Sequence, residues 1–215
     1  MDILSYKLGK NSSGGGGGDI DWSAIGYTGT PQSIIDGYNQ AKTIQTSYTN
    51  SKTYYGYSNG GYDLMFFPLV DTSARTQFSN IFHDCFKLIY VPVLDTSNAI
   101  NMTGMFNSCR ALTTIPQFDT SKVESFIQFC YGCETLKNIP VLNTSSATTL
   151  QSAFGSCRNL SDTSLNNIMR MCINATKISS NKTLKYIGLS SDQATRCQSL
   201  SNYQAFLNAG WTTGY

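Results

Sequence analysis

The feature that most constrains this chain is a segment that recurs at a constant spacing along the sequence. The stretches "CFKLIYVPVLDTS", "CRALTTIPQFDTS" and "CETLKNIPVLNTS" begin at residues 85, 109 and 133. A unit of this size cannot bury its own apolar side, so successive units must stack and share one core. The repeated positions form four aligned columns: Pro68, Pro92, Pro116 and Pro140; Asp71, Asp95, Asp119 and Asn143; Cys85, Cys109, Cys133 and Cys157; and Leu88, Leu112, Leu136 and Leu160.

The apolar spacing within one unit predicts a helix followed by a strand. Counted from the Asp, apolar or small residues recur at +4, +7, +11 and +14, and intervals of three and four mark one face of a helix. The Asp-Thr-Ser before them would cap that helix through the Asp carboxylate. The Leu-x-x-Ile/Val-Pro run is short, rich in β-branched residues and ended by Pro, which predicts one brief strand.

The repeat "DTSNAINMTGMFNSCRALTTIPQFDTSKVESF" resembles the BspA-type leucine-rich repeats of bacterial surface proteins, over about residues 64–163. The resemblance implies an α/β solenoid of leucine-rich repeats, with 24-residue strand–helix units in a parallel ladder and helical N- and C-terminal caps. The chain departs from the pattern at Arg75, which takes an inward position, at Cys130, which replaces Phe, and at Asn143, which replaces Asp.

Four segments are predicted along the chain. Residues 1–18 form an anchor peptide and a Gly tether, and residues 19–63 a capping helix and a Tyr-rich loop. Residues 64–163 hold four repeats, and residues 164–215 form a helical cap. Within this cap, "SLNNIMRMCINATK" and "SSDQATRCQSLSNYQAFLNAGW" each predict a helix, and "LKYIG" predicts a short strand.

Composition argues against several classes of partner. Only 13% of residues are charged and the net charge is +2, so neither a nucleic-acid partner nor membrane adsorption is expected. The first residues lack the apolar stretch of a secretory signal, and no run is long enough for membrane insertion. A polar, weakly charged surface of Gly, Ser, Thr, Asn and Tyr is more typical of extracellular proteins and virus particles.

No catalytic residue, cofactor or metal site is predicted, and the chain is not expected to be an enzyme. The five-glycine run lacks the Lys-Ser/Thr of a phosphate loop. Cys130 and Cys133 form a Cys-x-x-Cys pair, which elsewhere binds zinc or acts in redox chemistry, but here both positions face the predicted core. Free, buried thiols are therefore expected throughout the cysteine column. His83 is interpreted as a surface residue, and the three aspartates as helix caps.

Recognition is the remaining class of function, and two groups of residues are candidates for it. Ser, Asn and Gly surround four tyrosines in the loop before the repeats, a composition that binding loops use. The strand face is the second group, apolar in the first units and polar in the later ones, which carry Thr113, Thr114, Lys137 and Asn138. The rings could instead only cover the first repeat. The candidate contact residues are Tyr54, Tyr55, Tyr57, Tyr62, Phe66 and Tyr90.

The two ends of the chain, "ILSYKLGKNSSGGGGG" and "LSNYQAFLNAGWTTGY", are similar to the ends of repeat proteins of tailed phages of Gram-positive gut bacteria. This resemblance implies a virion structural or adhesion protein on the tail or capsid surface, binding a host-surface glycan or protein through its repeats. The alternatives are a decoration protein with only virion partners and an adhesin on the bacterial cell surface. The oligomeric state stays open, including a homo-oligomer.

The anchor hypothesis gives a first prediction. Ile3, Leu4, Tyr6 and Leu8 lie in a ten-residue leader that is too short to fold alone, and such a peptide is held by a partner's sheet edge or groove. Deletion of residues 1–10 is expected to leave the thermal unfolding of the repeats and their ligand binding unchanged while abolishing incorporation into particles. Mass spectrometry of purified particles measures the copy number, and a normal copy number for the truncated chain would contradict the anchor.

Overall fold

The computed structural model of this 215-residue chain describes residues 63–67 and 70–214. The anchor peptide, the tether, the predicted capping helix and the Tyr-rich loop lie outside the described residues. Three helices follow the repeats, and they are α1 (Asp162–Asn174), α2 (Ser191–Cys197) and α3 (Tyr203–Asn208).

The described repeats, up to residue 161, consist of turns joined by single parallel β-bridges. One ladder runs through Gln77, Asn101, Ser125 and Thr149. The other lies in the predicted strand segment and pairs Phe66 with Tyr90 and Thr114 with Asn138.

Hydrogen bonds between equivalent positions of successive units hold the repeats together. In the first unit, alternate backbone N–H groups of Phe78, Asn80, Phe82 and Asp84 each donate to a carbonyl of the second unit, at 2.8 Å. The second unit donates to the third, and the third to the fourth, in the same register. Each layer therefore supplies the hydrogen-bond partners of its neighbour, which is how a chain of turns keeps its buried backbone paired.

The predicted helix within each unit is wrong for the described repeats, where four-residue turns take its place. In the second unit, Met105 N–H bonds the carbonyl of Met102, and Cys109 N–H bonds that of Phe106, at 3.2 and 3.1 Å. The first residue of each of these turns is buried, so successive turns place buried residues at the same spacing as one face of a helix. The N–H groups that a helix would use internally point along the stack instead.

Two columns of residues in the left-handed region make this backbone possible. Positive φ recurs at two sites in every unit, and the occupants are Gly or short polar residues with one Gln. Such residues adopt this region more readily than β-branched or bulky residues do. The first column is Asn80, Gly104, Gln128 and Ser152, and the second is Asp84, Ser108, Gly132 and Ser156.

The Asp-Thr-Ser segment forms a corner of the unit and does not cap a helix. The Asp95 carboxylate accepts bonds from the N–H and hydroxyl of Ser97, at 3.0 and 2.7 Å, which closes a side-chain turn. The next residue, Thr96, is buried, and its hydroxyl donates to the carbonyl of Asp119 in the following unit at 2.8 Å. Thr72 and Thr120 make the same bond, at 2.8 and 2.9 Å, so a threonine ladder runs beside the backbone bonds.

Phenylalanine rings fill the core, and the Cys130 departure is compensated within it. Phe82 and Phe106 stack with ring centroids 5.2 Å apart. In the third unit Cys130 takes that column, while the preceding residue, Phe129, places its ring edge-on to Phe106 at 5.5 Å. The large ring has moved by one position along the chain, so the interior stays filled and Cys130 is fully buried.

The C-terminal segment closes the stack differently from the prediction. "LKYIG" is a turn, although Ser152 and Phe154 of the fourth unit donate backbone bonds to Tyr186 and Ile187 within it. Residues 211–214 then pair with this layer through the Thr183–Thr212 bridge. The long helix predicted over residues 190–211 is two short ones, α2 and α3, separated by turns.

The packing generates a second prediction. Replacing Phe106 with Ala is expected to lower the free energy of unfolding by about 3–5 kcal/mol, because it removes a fully buried ring that contacts three other rings. The matched control is Val93→Ala, at a side chain that is 62% exposed, with an expected cost below about 0.5 kcal/mol. Equal chemical-denaturation midpoints for the two variants would contradict this core assignment.

Candidate functional site

The strongest candidate for a recognition surface is the polar part of the strand face, defined here as Tyr90, Thr113, Thr114, Lys137 and Asn138. Tyr90 and the two threonines are half-buried, and the other two side chains are exposed. The N–H groups of Lys137 and Asn138 both donate to the carbonyl of Thr113, at 2.9 and 3.0 Å. The side chains therefore stand on a backbone that bonds between layers have already fixed.

Helix α1 covers the open edge of this strand face. The hydroxyl of Ser164 accepts from Ile139 N–H at 2.9 Å and donates to the carbonyl of Lys137 at 2.8 Å. The amide of Asn167 donates to the carbonyl of Ile139 at 2.9 Å. A covered edge does not pair with another chain, so the surface offers side chains and no backbone edge at this end. Sequence reasoning missed Ser164 and Asn167, whose only signal is their polarity on a buried helix face.

The apolar end of the strand face is enclosed in this structure. Phe66 is 1% exposed and Ile89 is 8% exposed, and both lie outside the main hydrophobic cluster. The Phe66 ring is therefore not accessible to a ligand, although the sequence predicted it to lie on a binding surface. The Tyr90 side chain is partly accessible. The remaining candidates, Tyr54, Tyr55, Tyr57 and Tyr62 for the ligand and Ile3, Leu4, Tyr6 and Leu8 for the anchor, lie outside the described residues.

Three thiols of the cysteine column, those of Cys109, Cys133 and Cys157, donate hydrogen bonds to the preceding unit. All seven cysteines are free and buried. The thiols of Cys109 and Cys133 donate to the carbonyls of Phe82 and Phe106 in the preceding units, at 3.1 and 3.0 Å. Burial raises the pKa of Cys85 to about 12 and that of Cys197 to about 11, and it also raises the pKa of Cys130. Thiols with raised pKa values are poor nucleophiles at neutral pH.

The other polar residues considered for chemistry have structural partners. His83 Nδ1 lies 3.2 Å from the carboxylate of Asp84, and both are half-buried. Hydrogen bonds from Ser97 and Ser121 lower the pKa of Asp95 and Asp119, whose carboxylates close the corner turns.

Within residues 63–67 and 70–214 no group of three or more His, Cys, Asp or Glu side chains could hold a metal ion. No helix of that part is long and apolar enough to cross a membrane.

The comparisons with known proteins place the repeats in a family. Residues 67–183, more than half of the chain, match the profile of a family described as Mycoplasma protein of unknown function, DUF285. The chain belongs to this family. No curated protein and no solved structure matches it. The DUF285 region runs from Phe67 in the first repeat through α1 to Thr183, so it contains the whole polar strand face.

The buried thiols of this DUF285 chain generate a third prediction, on pH dependence. An unfolded cysteine ionises near its ordinary pKa of 9.0, whereas folded Cys85 stays protonated up to about 12. The thiol is neutral in both states below pH 9, so its contribution is constant there and is lost as the pH rises from 9 towards 12. Each such thiol lowers the free energy of unfolding by about 1.4 kcal/mol per pH unit in this window.

Denaturant titrations of the wild type and Cys85→Ala at pH 8, 9, 10 and 11 measure this effect. The variant is less stable at pH 8 because of its cavity, but its free energy of unfolding falls less steeply above pH 9. Parallel curves for the two proteins would show that Cys85 ionises equally well in both states.

Proposed function

We propose that this chain is a non-enzymatic recognition protein whose polar strand face binds a host-surface glycan or protein. The observation that carries the proposal is a row of accessible hydrogen-bonding side chains on a backbone fixed by bonds between layers. A preorganised surface loses little conformational entropy on binding, so several modest polar contacts suffice for specificity. Tyr90 adds a partly accessible ring, a group that contributes large contact area at low entropic cost.

The overall architecture belongs to the same proposal. A leucine-rich-repeat solenoid presents its parallel ladder as a binding face, and the parallel bridges between equivalent positions of successive units support that assignment. The units differ from strand–helix repeats because turns replace the helices. The ladder and not the helix is the element on which recognition depends.

A place on a phage particle is the part of the proposal that rests on sequence alone. Its support is the similarity of both chain ends to repeat proteins of tailed phages, together with the weakly charged composition. A virion decoration protein and a bacterial surface adhesin are the alternative settings. In a decoration protein the same strand face would contact virion proteins, and in an adhesin it would contact the surface of another cell.

The fourth prediction tests the strand face with uncharged substitutions. Tyr90→Ala and Asn138→Ala together are expected to lower the amount of purified full chain retained on host cells by about tenfold, the loss of roughly 1.4 kcal/mol. Thr76→Ala and Thr148→Ala together are the matched control, because both are exposed and lie one residue before the other ladder. Retention is measured by quantitative immunoblot after sedimentation.

Removal of wall polysaccharide before the assay distinguishes a glycan from a protein ligand. Retention that is lost with the polysaccharide indicates a glycan, and retention that persists but needs intact surface protein indicates a protein. Equal retention of both double variants and the wild type would contradict a binding role for the strand face.

A further inference from the structure

Charge is distributed unevenly along the chain, although the net value of +2 conceals it. Between residues 63 and 134 seven acidic residues outnumber four Lys and Arg. Between residues 135 and 214 seven Lys and Arg outnumber two acidic residues. The later repeats and the C-terminal segment therefore form a basic half, and the polar strand face extends into it at Lys137.

Ion pairs leave most of these cations unneutralised. Among the cations of the basic half, Arg196 pairs with Asp162. Arg196 thereby neutralises the carboxylate of Asp162, which lies one repeat period after Asn138 in the sequence. The exposed cations of the basic half that join no ion pair in the described part include Lys137, Arg158, Arg170 and Lys177.

Helix α1 lies along the edge of the strand face and carries one of these exposed cations. Ser164 bonds the carbonyl of Lys137, and Asn167 bonds the carbonyl of Ile139, so this side of α1 follows the strand edge. Arg170 is exposed and lies three residues beyond Asn167, on an adjacent part of the helix surface. It is six residues beyond Ser164, a rise of about 9 Å along the axis. Lys137 therefore lies on the strand segment at this edge, and Arg170 lies on the exposed surface of the helix that runs along it.

We infer that the ligand of the strand face is an anionic polysaccharide, contacted by Lys137 and Arg170 at this edge. The inference rests on the proposed recognition function and adds the chemical class of the ligand. A polymer that carries a carboxylate or phosphate on each repeating unit places charges at intervals that two separated cations can meet. Its hydroxyl groups match the neutral donors and acceptors of Thr114 and Asn138.

The exposure of the cations also indicates the form of the interaction. Exposed ion pairs are individually weak and are screened by salt, so the affinity comes from several contacts along one polymer. Each contact releases counterions from the polyanion, and the dissociation constant then rises steeply with salt concentration. A neutral glycan bound by the same face would show no such dependence.

The fifth prediction concerns these charges. Lys137→Gln with Arg170→Gln is expected to weaken binding of the full chain to polygalacturonate or poly(glycerol phosphate) by about tenfold or more, and to reduce the slope of log Kd against log salt by about one to two. The control is Lys87→Gln with Lys122→Gln, which removes the same charge from the acidic half. This control is expected to change the affinity by less than about twofold, since both cations already have partners.

Biolayer interferometry at several salt concentrations measures both quantities, with dextran as the neutral polymer and a short DNA duplex as a second polyanion. Binding to only one of the two anionic polymers supports the inference and identifies the anionic group. Equal binding to dextran, equal losses in the two double variants or tighter binding to DNA would overturn it. If these results occur while Tyr90→Ala with Asn138→Ala still lowers retention on cells about tenfold, the recognition function stands and only the ligand class is wrong.

Discussion

The hydrogen bond from an N–H group of one unit to a carbonyl of the next is the interaction on which the structure depends. It turns backbone groups that a helix would pair internally into links between layers, at 2.8 Å for four donors of the first unit. The threonine hydroxyls and the cysteine thiols of the core add parallel bonds to neighbouring units. Because each layer completes its neighbour, the unit has no stable form alone and stability grows with stacking.

The same constraint explains the recognition surface. A backbone that is fixed by its neighbours holds its side chains at a set spacing. At Lys137 and Asn138 this is achieved by two N–H groups that both donate to the carbonyl of Thr113. The open edge of the last strand segment would attract other chains, and Ser164 and Asn167 of α1 cover it with side-chain bonds. Arg170 is an exposed residue of the same helix, so the helix that closes the edge also carries one of the two cations of the proposed ligand contact.

Much of the interior could be predicted from the sequence, and the secondary structure of the units could not. The buried columns and the free thiols follow from the constant period of the repeat, whichever local fold the unit adopts, whereas the threonine corners were interpreted as helix caps. The helix prediction failed because turns that each open on a buried residue give the same apolar spacing as a helix face. The columns of Gly, Asn, Ser and Asp at the sites of Gly104 and Gly132 were the available signal, since such residues favour left-handed backbone and weaken helices.

The sequence by itself determined the period and most of the inward residues of the repeats, because side-chain burial depends on spacing along the chain. Only the tertiary structure decided which backbone groups pair, that Phe129 takes over the space of the ring missing at Cys130, and that Phe66 is enclosed. It also decided that α1, the helix that carries Arg170, lies along the strand segment of Lys137. These features depend on contacts between residues of different units, far apart along the chain, for which local propensity carries no information.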